Sequence, residues 1–198
     1  MSAHSIGIII SSTRDGRFGE RVAQWISELA AGRGDMVAEV VDLRDYPLPF
    51  YETPTSPRFA ELDTSGVRAW AAKMASLDGY VFVSAEYNHG PTAVLKNALD
   101  HIYQEPARKP AAFVGYGSVG GARAVEQLRL VAVELGMVPL KSAVHINMEP
   151  FVGLAREGKT FEDYPYLAPA VAAMFDDLSW YAATLKAGRE ATDQRSAA

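Results

Sequence analysis

Short apolar runs alternate along this chain with polar turns and with stretches of helical periodicity. Residues 6–10, Ile6-Gly7-Ile8-Ile9-Ile10, are apolar and mostly β-branched, as in a central parallel strand buried on both faces. Residues 20–31 follow with Val22, Ala23, Ile26, Leu29 and Ala30 on one stripe, which predicts a helix ended by Gly32 and Gly34. A second strand is expected over 36–43, then a long loop over 46–57 carrying Pro47, Pro49, Pro54 and Pro57. Residues 65–77 predict a helix with Ser65 as N-cap. A strand over 79–83 and a helix over 91–103, opened by Pro91, come next. A fourth strand spans 110–116, and an amphipathic helix spans 122–135, closed by Gly136. The fifth strand spans 140–146. Residues 153–166 look irregular and polar, 169–187 predict a last helix, and 188–198 a frayed polar tail.

Alternating β and α elements predict a parallel sheet with helices on both faces. Five strands in this order fit a flavodoxin-like three-layer α/β/α sandwich, strand order 2-1-3-4-5. At 198 residues the chain is expected to form one domain over 1–187, with a disordered tail over 188–198.

Composition narrows the chemistry. The chain is 48% hydrophobic and 22% charged, which suits a packed core and argues against global disorder. A net charge of -5 argues against a nucleic-acid partner, which would call for a basic face. There is no cysteine, so disulfides, thiolate metal sites and thiol catalysis are excluded, and no metal ligand set is expected. No run reaches the ~18 apolar residues of a membrane span, and the first residues lack the pattern of a signal peptide. The expectation is a cytoplasmic protein with no membrane partner.

Three strand-to-helix turns hold the candidate chemistry, and in open α/β sheets ligands bind beyond the carboxyl ends of the strands. The first is Ser11-Ser12-Thr13-Arg14-Asp15-Gly16-Arg17-Phe18-Gly19. Hydroxyls, glycine amides and a helix N-terminus make an anion site there, and Arg14 and Arg17 could supply charge-assisted bonds to a phosphate. It is neither a P-loop nor a Gly-x-Gly-x-x-Gly turn, and it is equally a capped helix start with solvated arginines. The second turn is Glu86-Tyr87-Asn88-His89-Gly90. Its amides could stabilise negative charge on a heterocycle, with Tyr87 offering an aromatic face and Asn88 a donor and an acceptor. Glu86 and His89 also read as an ordinary exposed pair, and Lys96, Asn97 and Asp100 as a solvated helix face or a subunit contact. The third is Gly117-Ser118-Val119-Gly120-Gly121-Ala122-Arg123, whose glycines let a flat ligand lie close to the backbone. Together they suit a ligand with one phosphate and a planar ring, the shape of flavin mononucleotide (FMN).

The run Glu86-Tyr87-Asn88-His89-Gly90 followed by Leu95-Lys96-Asn97-Ala98-Leu99-Asp100 resembles the NAD(P)H-dependent FMN reductase family, which includes flavodoxin-fold quinone and azo-dye reductases. The resemblance covers about residues 6–148. Ser11 stands where the family commonly has glycine, and Ala85 where it typically has proline. The resemblance implies phosphate contacts at Ser12, Thr13 and Arg14, with Arg17, Phe18 and Gly19 next. It implies ring contacts at Glu86, Tyr87, Asn88 and His89, and at Gly117, Ser118 and Gly120. It also implies a homodimer or a dimer of dimers, with the flavin at the subunit interface.

On that basis NADPH or NADH would pass hydride to flavin N5, and a small-molecule acceptor (a flavin, quinone or azo compound) would receive the electrons. No side chain needs to act as acid or base, so no catalytic residue is named. Arg17, Arg21 and Arg123 are candidates for the 2′-phosphate of NADPH. A flavodoxin-like electron-transfer or flavin-binding protein without nicotinamide-dependent turnover is the alternative.

Overall fold

Residues on one strand point alternately to the two sides of a sheet, and the computed structural model, which describes residues 3–59 and 64–196, sorts the apolar runs in this way. The strands are β1 (His4–Ile10), β2 (Met36–Asp42), β3 (Gly79–Ala85), β4 (Pro110–Tyr116) and β5 (Val138–Ile146). They form one parallel sheet in the order β2-β1-β3-β4-β5. This is the flavodoxin-like arrangement expected from the alternation of elements. Ile6, Ile8 and Ile10 face one side with Val81, Val83, Ala112 and Val114. Ile9 faces the other side with Tyr80, Phe82 and Phe113.

Helices cover both faces. On the first lie α1 (Gly19–Ala31), α5 (Met148–Arg156) and α6 (Leu167–Ser196), and on the second α2 (Ser65–Ser76), α3 (Ala93–Asp100) and α4 (Ala122–Glu134). Parallel order places the carboxyl ends of all five strands at one edge. The loops after β1, β3 and β4 therefore emerge side by side, and these are the three turns read from the sequence.

The structure departs from the expectations in several places. Thr64, not Ser65, caps α2: its hydroxyl accepts from the Val67 amide at 3.2 Å. Strand β5 starts at Val138, two residues before the expected 140. Strand β3 continues through Ser84 and Ala85, both buried, so the polar turn starts at Glu86. Helix α3 starts at Ala93, because Thr92 caps it: its hydroxyl accepts from the Leu95 amide at 3.2 Å. The segment expected to be irregular begins inside helix α5 and includes a short 3-10 turn at Phe161–Asp163. Gly153 does not break α5. It lets the Tyr164 side chain pack against the helix where a β-carbon would collide with the Tyr164 hydroxyl.

The last helix begins at Leu167 and runs to Ser196, past the glycine expected to end it. Gly188 costs helix stability, but the turns on either side of it are tied down. Lys186 and Arg189 both reach Asp78, at 2.9 and 3.2 Å, and the same carboxylate accepts from the Ser5 amide. Asp78 thus joins the start of β1 to the end of α6. Among the described residues no helix is long and apolar enough to cross a membrane.

Candidate functional site

The three turns are hydrogen-bonded to one another. Tyr87 Oη and Ser12 Oγ lie 2.9 Å apart, linking the second turn to the first. The Thr92 hydroxyl donates to Ser11 O at 2.6 Å, holding the first turn to the start of α3. The Glu86 amide donates to Tyr116 O, and the Glu86 carboxylate accepts from the Arg123 amide at 3.1 Å, linking the second turn to the third.

The first turn is braced from behind. Arg17 is buried, and its guanidinium donates to the Asp42 carboxylate and, at 2.7 Å, to Ser12 O. Arg17 therefore faces Asp42 at the end of β2 and supports the turn from inside. The hydrogen bond from Arg17 holds the Asp42 carboxyl below its usual range against the opposing effect of burial, and the Arg44 amide adds to it. Arg44 clamps the outside of the turn by donating to Thr13 O and Arg14 O. Phe18 is buried edge-on to Tyr116 and Phe151, and the Tyr116 hydroxyl stands 2.8 Å from where a β-carbon on Gly19 would lie. Phe18 and Gly19 thus form the floor of the turn.

What remains at the surface of this turn suits an anion. No side chain caps α1; the Arg21 amide turns to Phe18 O and the Gly19 amide to the Tyr116 hydroxyl, which leaves the Glu20 amide open. The Ser11 hydroxyl is buried and has no partner. Arg14 is exposed, lies over the Tyr87 ring with its guanidinium 5.5 Å from the centroid, and has no acidic partner among the described residues. An open helix N-terminus, an unsatisfied buried hydroxyl and an unpaired arginine fit the phosphate of FMN.

The second turn is a tight reversal. Tyr87 and Gly90 exchange both backbone hydrogen bonds, and the two residues between them have positive φ, 50° at Asn88 and 67° at His89. A two-residue turn of this hand usually carries Asn-Gly. A left-handed residue with a side chain costs roughly 1–2 kcal/mol, so the histidine needs support. Helix α4 supplies it: Gln127 donates to His89 O at 2.5 Å, and Arg123 contacts His89 Nε2 at 2.6 Å. The Glu86 side chain is 5% exposed and ion-pairs with Arg123. Burial opposes its charge, but the Arg123 side chain and amide outweigh burial and hold the carboxyl below its usual range. Glu86 therefore caps α4, and only its backbone is left to meet a ligand.

The third turn owes its shape to glycine. Gly117 and Gly120 have φ of 137° and 65°, and a β-carbon on Gly120 would fall 2.5 Å from Asn147 Oδ1. His145 Nδ1 lies 2.9 Å from Gly120 O and steadies the turn from β5. Ser118 is exposed beside it.

Of the arginines considered for a 2′-phosphate, Arg17 and Arg123 are engaged by carboxylates, while Arg21 is exposed with one nitrogen on Leu154 O. Asn97 is half-buried on α3. It donates to Pro49 O at 2.8 Å and accepts from the Tyr51 amide at 3.0 Å, and with His101 it holds the proline-bearing loop on α3. Between that loop, Thr13 and Val94 lies a cavity of about 420 Å³. Sequence reasoning passed over Asp42, Thr92, Gln127, His145 and Asn147. Only Thr92, a threonine directly before the apolar helix residues Ala93, Val94 and Leu95, carried a local signal.

Comparisons with known proteins bear on the family and the fold. Residues 4–150 match the family model described as NADPH-dependent FMN reductase. An NAD(P)H-dependent FMN reductase of Schizosaccharomyces pombe is 39% identical over 150 residues, covering 73% of this chain and 74% of the relative. A 2-hydroxy-1,4-benzoquinone reductase of a Burkholderia species is 32% identical over 143 residues, covering 69% and 74%. Among solved structures, the flavoenzyme NAD(P)H:(acceptor) oxidoreductase FerB of Paracoccus denitrificans superposes with a TM-score of 0.71 at 22% identity, covering 90% of this chain and 99% of that one.

Proposed function

Since the chain belongs to the NADPH-dependent FMN reductase family and is an FMN-dependent oxidoreductase using NAD(P)H, we propose that its electron acceptor is a flat conjugated molecule, a quinone first and a free flavin or azo compound next. The observation that carries this reading is the direct bonding of the three turns into one site with an anion end and a ring end. Bound FMN supplies the chemistry of accepting hydride from the nicotinamide and releasing electrons to the acceptor.

The protein's part is binding and orientation. Ser12, Thr13 and Arg14, with the buried Ser11 hydroxyl and the open start of α1, hold the phosphate. The backbone of residues 86–89 and the glycines at 117 and 120 take the ring, and the Ser118 side chain adds a hydroxyl at its edge. The Glu86 and Tyr87 amides are bonded to Tyr116 O and Gly90 O, so the Asn88 and His89 amides are the turn's donors for the charge that reduction adds. The ring end is open to solvent: Asn88 and His89 are exposed and Tyr87 is only half-buried. An open site of this kind takes a stacked aromatic acceptor more readily than a shaped one, and the relative named for a benzoquinone supports that class.

The same reading extends to a second copy of the chain. Phe50 is 76% exposed beside the cavity, with Val94 at its rim. We assign this face to a homodimer, which sedimentation would test.

Anaerobic absorbance of the FMN-loaded protein tests the function. NADPH or NADH should bleach the flavin bands, and a benzoquinone should restore them within one turnover. Bleaching without restoration by a quinone, flavin or azo dye would remove the acceptor assignment. Flavin that stays oxidised would favour an electron shuttle.

A further inference from the structure

We propose that Arg123, with Gln127, is a positioning residue that holds the Asn88-His89 turn in its left-handed shape and fixes His89 as the neutral tautomer protonated on Nδ1. This inference rests on the functional reading only for its consequence in flavin binding. The clamp itself rests on geometry.

Two adjacent residues with side chains have positive φ, a conformation uncommon outside glycine even for asparagine and histidine, which enter it more often than other residues. The reciprocal bonds between Tyr87 and Gly90 close the turn but do not choose its hand. The first turns of α4 do. Gln127 Nε2 donates to the His89 carbonyl, which fixes the orientation of that peptide. Arg123 lies 2.6 Å from His89 Nε2. A guanidinium has donors only, so Nε2 must accept, and the ring proton must sit on Nδ1. Neutral histidine in water favours the opposite tautomer, so the contact imposes a choice. Arg123 is itself held by the Glu86 carboxylate, which receives the Arg123 amide and side chain. One planar fork therefore connects both ends of the ring-facing turn, an arrangement a lysine cannot copy.

Nδ1–H is then left as a donor on an exposed imidazole at the ring end of the site. Its chemistry suits an acceptor oxygen, such as a quinone carbonyl.

Nitrogen-15 spectra of the imidazoles in the flavin-free protein, at about pH 8 where a free ring is neutral, test the clamp without any enzyme assay. Wild type should show His89 protonated on Nδ1. Arg123→Ala and Arg123→Lys should both shift it toward Nε2–H. Arg123→Lys keeps a cation beside Glu86, so it serves if the alanine variant does not fold. The FMN dissociation constant should rise about tenfold in either variant. Adding Asn88→Gly, which removes part of the left-handed penalty, should shrink the loss caused by the Arg123 change to threefold or less. An Nε2–H signal in wild type would overturn the tautomer assignment. A loss of the same size with and without Asn88→Gly would overturn the clamp. If the wild type binds no FMN, the functional reading falls while the spectra still decide the clamp.

Discussion

Tyr87 and Ser12 stand 75 positions apart in sequence, yet their hydroxyls meet at 2.9 Å. That contact joins the anion end of the site to the ring end. It explains why a tyrosine follows Glu86: the ring reaches back across the first turn, and Arg14 rests on its face.

Tyr87→Phe should weaken FMN binding two- to tenfold, the effect of one lost hydrogen bond at about 0.5–1.5 kcal/mol. Ser12→Ala in the Tyr87→Phe background should then cost less than it does in wild type, because the shared bond is already gone and only the phosphate contact of Ser12 is lost. Calorimetric titration of the single and double variants checks this. Fully additive losses would mean that the two hydroxyls act separately.

Arg14→Ala should weaken FMN binding by roughly 10- to 100-fold, as expected for hydrogen bonds to a charged group. Riboflavin has no phosphate and should bind the variant almost as well as wild type. Fluorescence titrations with both ligands decide the matter, and equal losses would move Arg14 away from the phosphate.

Acid should loosen the first turn through Asp42. Its carboxyl lies below the usual range because Arg17 donates to it against the effect of burial. A lowered carboxyl stabilises the fold fully above its unfolded value of about 3.9, and this contribution is lost as pH falls from there through the lower folded value. Urea midpoints of wild type should therefore decline more steeply below about pH 4 than those of Asp42→Asn. Parallel declines would show that the pair does not contribute.

Gly115→Ala places a β-carbon 2.5 Å from Gly120 O and 3.1 Å from Gly121 Cα. The third turn would have to move, at a cost on the order of 1–3 kcal/mol, and FMN affinity should fall with it. Gly34→Ala is the control, since nothing lies within 4 Å of its added carbon. Thermal denaturation with and without FMN compares them. A Gly115→Ala protein as stable as the control would contradict the close packing described.

Much of this was legible in the sequence because local patterns carried it. Residues 110–116 form β4 with the bounds expected, and the order of the five strands follows from the alternation of elements. The three turns were legible as strand, polar run and helix. Their supports were not, because each comes from a distant element. Asp42 ends β2, Gln127 lies on α4 and His145 on β5, and no spacing links them to the turns they brace. Arg17 looked like a phosphate ligand because a sequence shows charge but not direction. Gly153 opened the stretch expected to be irregular, and Gly188 the expected tail. The first is a packing site for Tyr164, and the second lies in a helix fastened on both sides to Asp78.

The sheet order also sets when, during synthesis, a cofactor can be captured. Residue 11 leaves the ribosome long before residue 123, and the brace at His145 comes later still. Since β4 and β5 are added at one edge after β3, a nascent chain ending before β5 holds an anion loop and no finished ring cradle. The ring cradle proposed above would thus be complete only once β5 has joined the sheet.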